Sequence, residues 1–247
     1  MFGTDQAKFL SQVRASIGSG VPKRSGQAVP GRAGASPGTG ATLSRSQLLE
    51  TFLAELSLVG GKGYHIHSPR QAVDRLLALV SAASITRAVM WRHTLLAQLG
   101  VRVALAEAGV ECWEISEEVP EPERLTRIAR ADLGVTAADC AVAETGSLVL
   151  CSGPGQARMV SLLPPWHVAF LAPGCLVSSL EALSPLLRRR LEDRDGASNI
   201  VLITGPSRTG DIELTLTQGV HGPKEVHVIA WDEEPAPGRQ DATSSTS

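Results

Sequence analysis

Apolar residues between positions 44 and 232 recur with two spacings, which predict helices and strands in alternation. Helical stripes, with apolar residues three and four apart, lie over 48–56, 73–80 and 179–193. The first stripe follows a capping-box pattern at Ser44 and Gln47, and the second follows Ser68 and Pro69, a typical helix start. Short, nearly continuous apolar runs predict buried strands at 88–91, 112–115, 141–143, 147–150, 167–171, 200–203 and 226–229.

This alternation predicts an α/β fold whose sheet is mainly parallel and carries helices on both faces. The strands between 139 and 171 follow one another too closely for helical crossovers, so we expect a local antiparallel patch there. We expect the folded domain to span 44–232.

The segments outside that domain have a different composition. Residues 1–17 place Phe9, Leu10, Val13 and Ile17 on one side of a predicted short helix. Residues 18–43 are rich in Gly, Pro and Ser, which predicts a flexible linker. The polar end, 233–247, is predicted to be disordered.

Composition narrows the function classes. The 247 residues are 43% apolar with a net charge of −2 and a pI near 6.3, which argues against nucleic-acid binding. No apolar stretch is long enough for a membrane span, so a cytoplasmic protein is expected. The four cysteines show no C-x-x-C spacing, and His65 and His67 lack obvious carboxylate companions. We therefore expect neither a cofactor nor a metal in this chain.

The strongest candidate site follows the predicted strand at 200–203. A turn rich in Gly, Pro, Ser and Thr leads into 212–216, which we expect to start a helix, and helix N-termini attract anions. The alternative is that a turn hydroxyl only caps the helix while Arg208 pairs with Glu213. The candidate anion-binding residues here are Thr204, Gly205, Ser207, Arg208, Thr209 and Asp211.

A second candidate, Glu144, stands between an apolar segment and a tight turn. If it is partly buried, its pKa is raised and it can act as a base or nucleophile. The alternative is a glutamate hydrogen-bonded to turn N–H groups, which lowers the pKa instead.

Two further turns complete the candidate set. Gly153 and Gly155 precede Arg158, and the three residues can form a second anion-binding nest. The alternative is that the two glycines simply turn the chain. His221 lies in a turn that can line the cleft opposite Arg208. We expect these bends to converge with Glu144 at one margin of the sheet.

The same segments resemble the lactate utilization protein C family, which consists of stand-alone LUD domains. The resemblance runs from about 44 to 232. It is most specific in Gly134–Asp139, Ala143–Ser147, Gly153–Gln156, Thr204–Thr209 with Asp211–Glu213, and Gly219–Lys224.

The resemblance implies a fold like that of glucosamine-phosphate isomerase, ribose-phosphate isomerase and CoA-transferases. It also implies a part in oxidising L-lactate to pyruvate beside two partner proteins that carry iron–sulfur clusters. Lactate or pyruvate is then the expected small anion. Two alternatives stay open: a CoA-transferase-like or isomerase-like enzyme that uses Glu144, and a metabolite-sensing binding module.

Overall fold

The computed structural model describes residues 43–192, 199–210, 216–218 and 221–231. The predicted N-terminal helix, almost all of the predicted linker and the predicted disordered tail lie outside these residues, as does Asp211. The side chain of Thr209 is also outside the described set.

Six α-helices occur in the described part of the chain, and the first two begin as the sequence predicts. The Ser44 hydroxyl accepts from the Gln47 N–H, and the Gln47 side chain accepts from the Ser44 N–H at 2.9 Å. The Ser68 hydroxyl accepts from the Gln71 N–H at the start of the second helix. The helices are α1 (Arg45–Leu58), α2 (Pro69–Ala82), α3 (Thr94–Gln98), α4 (Val101–Glu107), α5 (Glu121–Arg130) and α6 (Leu180–Glu192).

Every predicted strand overlaps an observed one, but the sequence did not predict the edge strand at 62–66, the buried central strand at 133–138, or the short strands at 176–177, 208–210 and 216–218. Two 3₁₀ turns, Ala143–Thr145 and Arg158–Ser161, separate some of them. The strands are β1 (Lys62–Ile66), β2 (Arg87–Met90), β3 (Glu111–Glu114), β4 (Leu133–Ala138), β5 (Cys140–Val142), β6 (Ser147–Ser152), β7 (Trp166–Leu171), β8 (Leu176–Val177), β9 (Asn199–Ile203), β10 (Arg208–Gly210), β11 (Leu216–Gln218) and β12 (Glu225–Trp231).

The main sheet has six parallel strands in the order β1-β12-β7-β4-β2-β3. All six residues of β4 are buried, so both faces of this central strand are covered. From β2 the chain moves outward to β3 and then returns across β2 to β4. Connections therefore leave the carboxyl ends of β2 and β4 in opposite directions. Open α/β sheets bind ligands at such a point, between two strands whose connections leave in opposite directions.

A smaller sheet, in the order β8-β5-β6-β9, combines β5 and β6, which follow β4, with β8 and β9, which follow β7. Its β5–β6 and β6–β9 pairs are antiparallel, which confirms the predicted antiparallel patch. One face packs into the main core, and the other packs on Leu183 of α6.

The predicted helix start at 212–216 is wrong where the structure describes it. Strand β10 follows the turn directly and pairs antiparallel with β11, which contains Leu216. Residues 212–215 lie outside the described residues. The turn at 204–207 therefore leads into a hairpin strand, and the expected helix N-terminus does not form at Arg208.

Candidate functional site

The crevice at the carboxyl ends of β2 and β4 is closed by the segment Gly153–Ala157, here called the crevice loop. Trp91, directly after β2, donates from its indole Nε1 to the Ala157 carbonyl at 3.0 Å. The Arg92 N–H donates to the Gly155 carbonyl at 2.9 Å. The crevice loop is thus tied to the end of the main sheet, where the topology favours a ligand site.

Glu117, which follows β3, anchors the crevice loop from the other side. Its carboxylate accepts from the Gly155 N–H and forms an ion pair with Arg92 at 2.8 Å. The hydrogen bond from Gly155, with help from the nearby arginines, lowers the pKa of Glu117. Gly155 has φ +74, and an added Cβ would lie 2.8 Å from the Arg92 Cβ, so a side chain does not fit there.

A cavity of about 410 Å³ opens beside the crevice loop. Such a volume lies within the range of small-molecule sites, roughly 300–1,000 Å³. Among the described lining residues, two arginines and one glutamate give a formal charge of +1. The lining residues are Glu121, Arg124, Leu125, Ile128, Ser152, Gly153, Gln156, Ala157, Arg158, Met159 and Asn199.

The two arginines come from different elements. Arg124 lies on α5 and makes a long contact, 3.5 Å, with the Ser116 carbonyl. Arg158 is exposed and begins the 3₁₀ turn after the crevice loop. Within the described residues neither forms an ion pair. Because guanidinium forks match carboxylate and phosphate oxygens, both are able to bind an anion entering this cavity.

The turn at Thr204–Arg208, here called the 204–208 turn, lies at the other end of the small sheet. Strand β6 pairs with β9 so that Ser152 faces Asn199 near the cavity, whereas Leu148 faces Ile203 next to the turn. Four residues of strand separate the two ends, which is about 14 Å. The Thr204 hydroxyl is 2.7 Å from the Ser147 hydroxyl, which fixes the turn to the start of β6.

Within the 204–208 turn, Arg208 lies against the end of α1. A Cβ added to Gly60 would overlap the Arg208 guanidinium, and one added to Gly205 would overlap the Val59 carbonyl. The last carbonyls of a helix carry partial negative charge, which a nearby cation complements. Arg208 is exposed, and its guanidinium packs beside Gly60 near the carbonyl end of α1.

His221 lies in a turn that packs on the 204–208 turn. The Ser207 N–H donates to the Pro223 carbonyl at 2.9 Å, and an added Cβ on Gly222 would lie 3.2 Å from the Ser207 Cβ. The His221 side chain is exposed. The Ser207 amide is used by Pro223 and is not directed at a ligand.

Glu144 is exposed in the 3₁₀ turn between β5 and β6, so the condition for a raised pKa, partial burial, is not met. Its Oε1 accepts from the N–H of Leu180 at 2.7 Å, at the first residue of α6. Its own N–H donates to the Ser178 carbonyl at 3.1 Å. These contacts match the hydrogen-bonded alternative, because a carboxylate stabilises the start of a helix.

The expected convergence of three bends at one margin is not found. Glu144 and the 204–208 turn share the end of the small sheet that packs on α1, whereas Gly153, Gly155 and Arg158 lie at the opposite end, beside the cavity. The reason is the β6 strand itself, which runs from the turn that holds Glu144 to the crevice loop and so keeps the two apart.

The sequence analysis missed four residues of the cavity region. Trp91 ends a predicted strand, and Arg92 and Glu117 follow predicted strands closely; the rule that ligands bind at the carboxyl ends of parallel strands would have selected all three. Arg124 lies on α5, and no local sequence feature marks it as a site residue.

Two buried histidines lie near the amino ends of the central strands. His167 Nε2 is 2.9 Å from the Thr136 hydroxyl, and burial, reinforced by His227, lowers the pKa of His167 to about 3. His227 Nδ1 is 3.0 Å from the Tyr64 hydroxyl, its ring stacks on Trp166, and burial lowers its pKa to about 4. Both are neutral near pH 7 and belong to the core.

His65 and His67 have ring centroids 4.8 Å apart. In the described ranges no group of three or more His, Cys, Asp or Glu is arranged to hold a metal ion. Among the same residues, none of the helices combines the length and apolar character needed to cross a bilayer.

Comparison with known proteins agrees with the fold and the motifs. A lactate utilization protein C from Halalkalibacterium halodurans is 36% identical over 165 residues, which are 66% of this chain and 69% of that protein. Another, from Macrococcus caseolyticus, is 31% identical over 59% of this chain and 62% of its own length.

A crystal structure of a DUF162 family protein from Deinococcus radiodurans has the same fold. Its TM-score is 0.53 at 20% identity, and the match covers 77% of this chain and 99% of that one. The family model described as the LUD domain matches residues 49–230. This match covers most of the chain, and the chain therefore belongs to the LUD domain family.

Proposed function

We propose that this protein is a component of L-lactate utilization. The observation that carries the proposal is its similarity, over about two thirds of its length, to a lactate utilization protein C. In this proposal the chain is a subunit without an iron–sulfur cluster, and it acts with iron–sulfur partner proteins in the oxidation of L-lactate to pyruvate. The partners would carry the electrons, in line with the cysteine spacing of this chain.

We place the small-anion site of this proposal at the cavity lined by Arg124 and Arg158. Both arginines line the cavity beside the crevice loop, and within the described residues neither is neutralised by an ion pair. The 204–208 turn is less suited to the same task, since Arg208 complements the end of α1 and Ser207 donates to Pro223.

Growth on L-lactate tests the proposal. A strain that lacks this protein should fail to grow on L-lactate and should recover with the wild-type gene. Complementation with Arg158→Ala should fail, whereas Arg130→Ala should restore growth, because Arg130 is exposed on α5 but does not line the cavity. Normal growth of the deletion strain would reject the role in the pathway.

Association with the partners is tested separately. The tagged full-length protein should retain the iron–sulfur proteins of lactate oxidation during purification, detected by their visible absorption and by mass spectrometry. Arg158→Ala should retain them equally well, since the proposed anion site is not an interface. Absence of these proteins from the wild-type preparation would contradict the subunit arrangement but leave the anion site open.

An enzyme that uses Glu144 as a nucleophile is less well supported. The carboxylate is engaged by the Leu180 N–H and lies on the exposed side of a turn, at the end of the small sheet opposite the cavity. If Glu144 is structural, Glu144→Gln should complement growth on L-lactate.

A further inference from the structure

The cavity beside the crevice loop is larger than a three-carbon acid requires. Its volume is about 410 Å³. Lactate or pyruvate occupies roughly 100 Å³, on a scale where one water molecule takes about 30 Å³ of the liquid. The cavity is open to solvent, so a single such molecule at the arginines would leave part of the lining free to contact a longer ligand.

The remaining walls are apolar in one region. Ile128 is buried, Met159 is half-buried, and Leu125 is 37% exposed although it is a large aliphatic residue. Leu125 and Ile128 lie three apart on α5, so they share one helix face. Arg124 and Arg158 also line the cavity. The cavity therefore combines a cationic part with an aliphatic wall.

The charge of the lining limits the anion that fits. Glu121 is the one carboxylate among the described lining residues, and it offsets one of the two arginines. A ligand with a single negative charge balances the remaining +1. A phosphate dianion would face Glu121 with an excess of negative charge.

On these grounds we infer that the cavity binds a singly charged organic anion with an aliphatic chain, such as a medium-chain monocarboxylate. The carboxylate is held by Arg124 and Arg158, and the chain lies on Leu125, Ile128 and Met159. This inference rests on the proposed anion site and specifies its ligand class.

Binding to the full-length protein at pH 7.5, measured by calorimetry, tests the inference with acetate, L-lactate, hexanoate and hexyl phosphate. Each buried methylene contributes roughly threefold to fourfold in affinity. Hexanoate is therefore expected to bind at least about 10-fold more tightly than acetate or lactate, and hexyl phosphate more weakly than hexanoate.

Two substitutions locate the effect. Leu125→Asn should reduce hexanoate affinity to about the level of acetate, as expected when an aliphatic wall is lost. The matched control is Leu163→Asn, which changes a similarly exposed leucine that does not line the cavity. Glu121→Gln should strengthen the binding of hexyl phosphate more than the binding of hexanoate, because it removes a negative charge that repels the phosphate.

The outcomes separate this inference from the proposed anion site. Equal affinity for acetate, lactate and hexanoate, all lost in Arg158→Ala, would overturn the aliphatic ligand but keep the anion site. Hexanoate binding that is unchanged in Arg158→Ala would overturn the inference, as would tighter binding of hexyl phosphate. Absence of binding by every probe would overturn both.

Discussion

The two arginine-bearing turns of the small sheet differ in what their arginines contact. Arg208, in the 204–208 turn, lies on Gly60 at the carbonyl end of α1. Arg158, after the crevice loop, lines the cavity together with Arg124 of α5. Both turns contain glycine and a cation, and local sequence does not distinguish them. Their tertiary surroundings do, because one arginine meets a helix terminus and the other meets an open space.

The contrast predicts that the end of the small sheet near α1 is sensitive to changes in packing. Gly146 has φ +61, and an added Cβ would overlap backbone atoms of Glu55 and Leu56. Gly146→Ala should lower the free energy of unfolding by about 3 kcal/mol, from left-handed backbone strain and overlap together. Chemical denaturation measures this loss.

Gly109→Ala is the control for that substitution. Gly109 has φ +79 but nothing within 4 Å of an added Cβ, so only the backbone strain remains, about 1 kcal/mol. Equal losses for the two variants would show that the turn at Gly146 is not packed on α1 as described.

The stability of the folded protein at acid pH limits the pH range in which ligand binding at the two turns can be compared. His167 and His227 have pKa values lowered to about 3 and about 4, below the unfolded value of 6.5. Well above pH 6.5 both histidines are neutral in the folded and in the unfolded protein, so they do not make the free energy of unfolding depend on pH. As the pH falls from 6.5 toward 4, the unfolded chain binds protons that the folded chain excludes, so stability decreases, by roughly 3 kcal/mol for each histidine at pH 4.

His227→Phe should make the denaturation midpoint less dependent on pH between 6.5 and 4, because a phenyl ring retains the stacking on Trp166 without a titrating group. An unchanged pH dependence in this variant would contradict the buried, neutral state of His227. Ligand binding is therefore best measured above pH 7.

Arg208→Ala gives the smallest predicted effect. Loss of a cation at the end of α1 should cost about 0.5–1 kcal/mol of stability. Thermal unfolding of the wild type, Arg208→Ala and Arg208→Lys measures the change, and the lysine variant should recover part of it. A loss of anion affinity without any loss of stability would reverse the roles assigned to the two turns.

Much of the fold follows from local patterns. The capping boxes, the apolar strand runs and the close strand spacing after Asp139 indicate the helices, the parallel sheet and the antiparallel insert. Segment 212–216 is an exception: Ile212, Leu214 and Leu216 alternate with polar residues, the period of a strand, whereas Asp211 and Glu213 are typical of a helix start. The described part of that segment is a strand.

The candidate site was less predictable. Gly153, Gly155 and Arg158 were identified as a glycine turn with a cation, and the structure places Arg158 beside the cavity. Arg124 was not predicted as a site residue, because it reaches the cavity only through the packing of α5 on β2 and on the turn after the crevice loop. The contact of Arg208 with Gly60 joins residues that are distant in sequence, and local sequence carries no signal for it.

The most direct test of the central claim compares anion affinity in three proteins by calorimetry at pH 7.5, with hexanoate and L-lactate as probes. The account predicts that Arg124→Ala combined with Arg158→Ala weakens binding by about 100-fold, since two charge-assisted hydrogen bonds are lost. It predicts that Arg208→Ala binds like the wild type. Wild-type affinity in the double variant, with binding lost in Arg208→Ala, would contradict it.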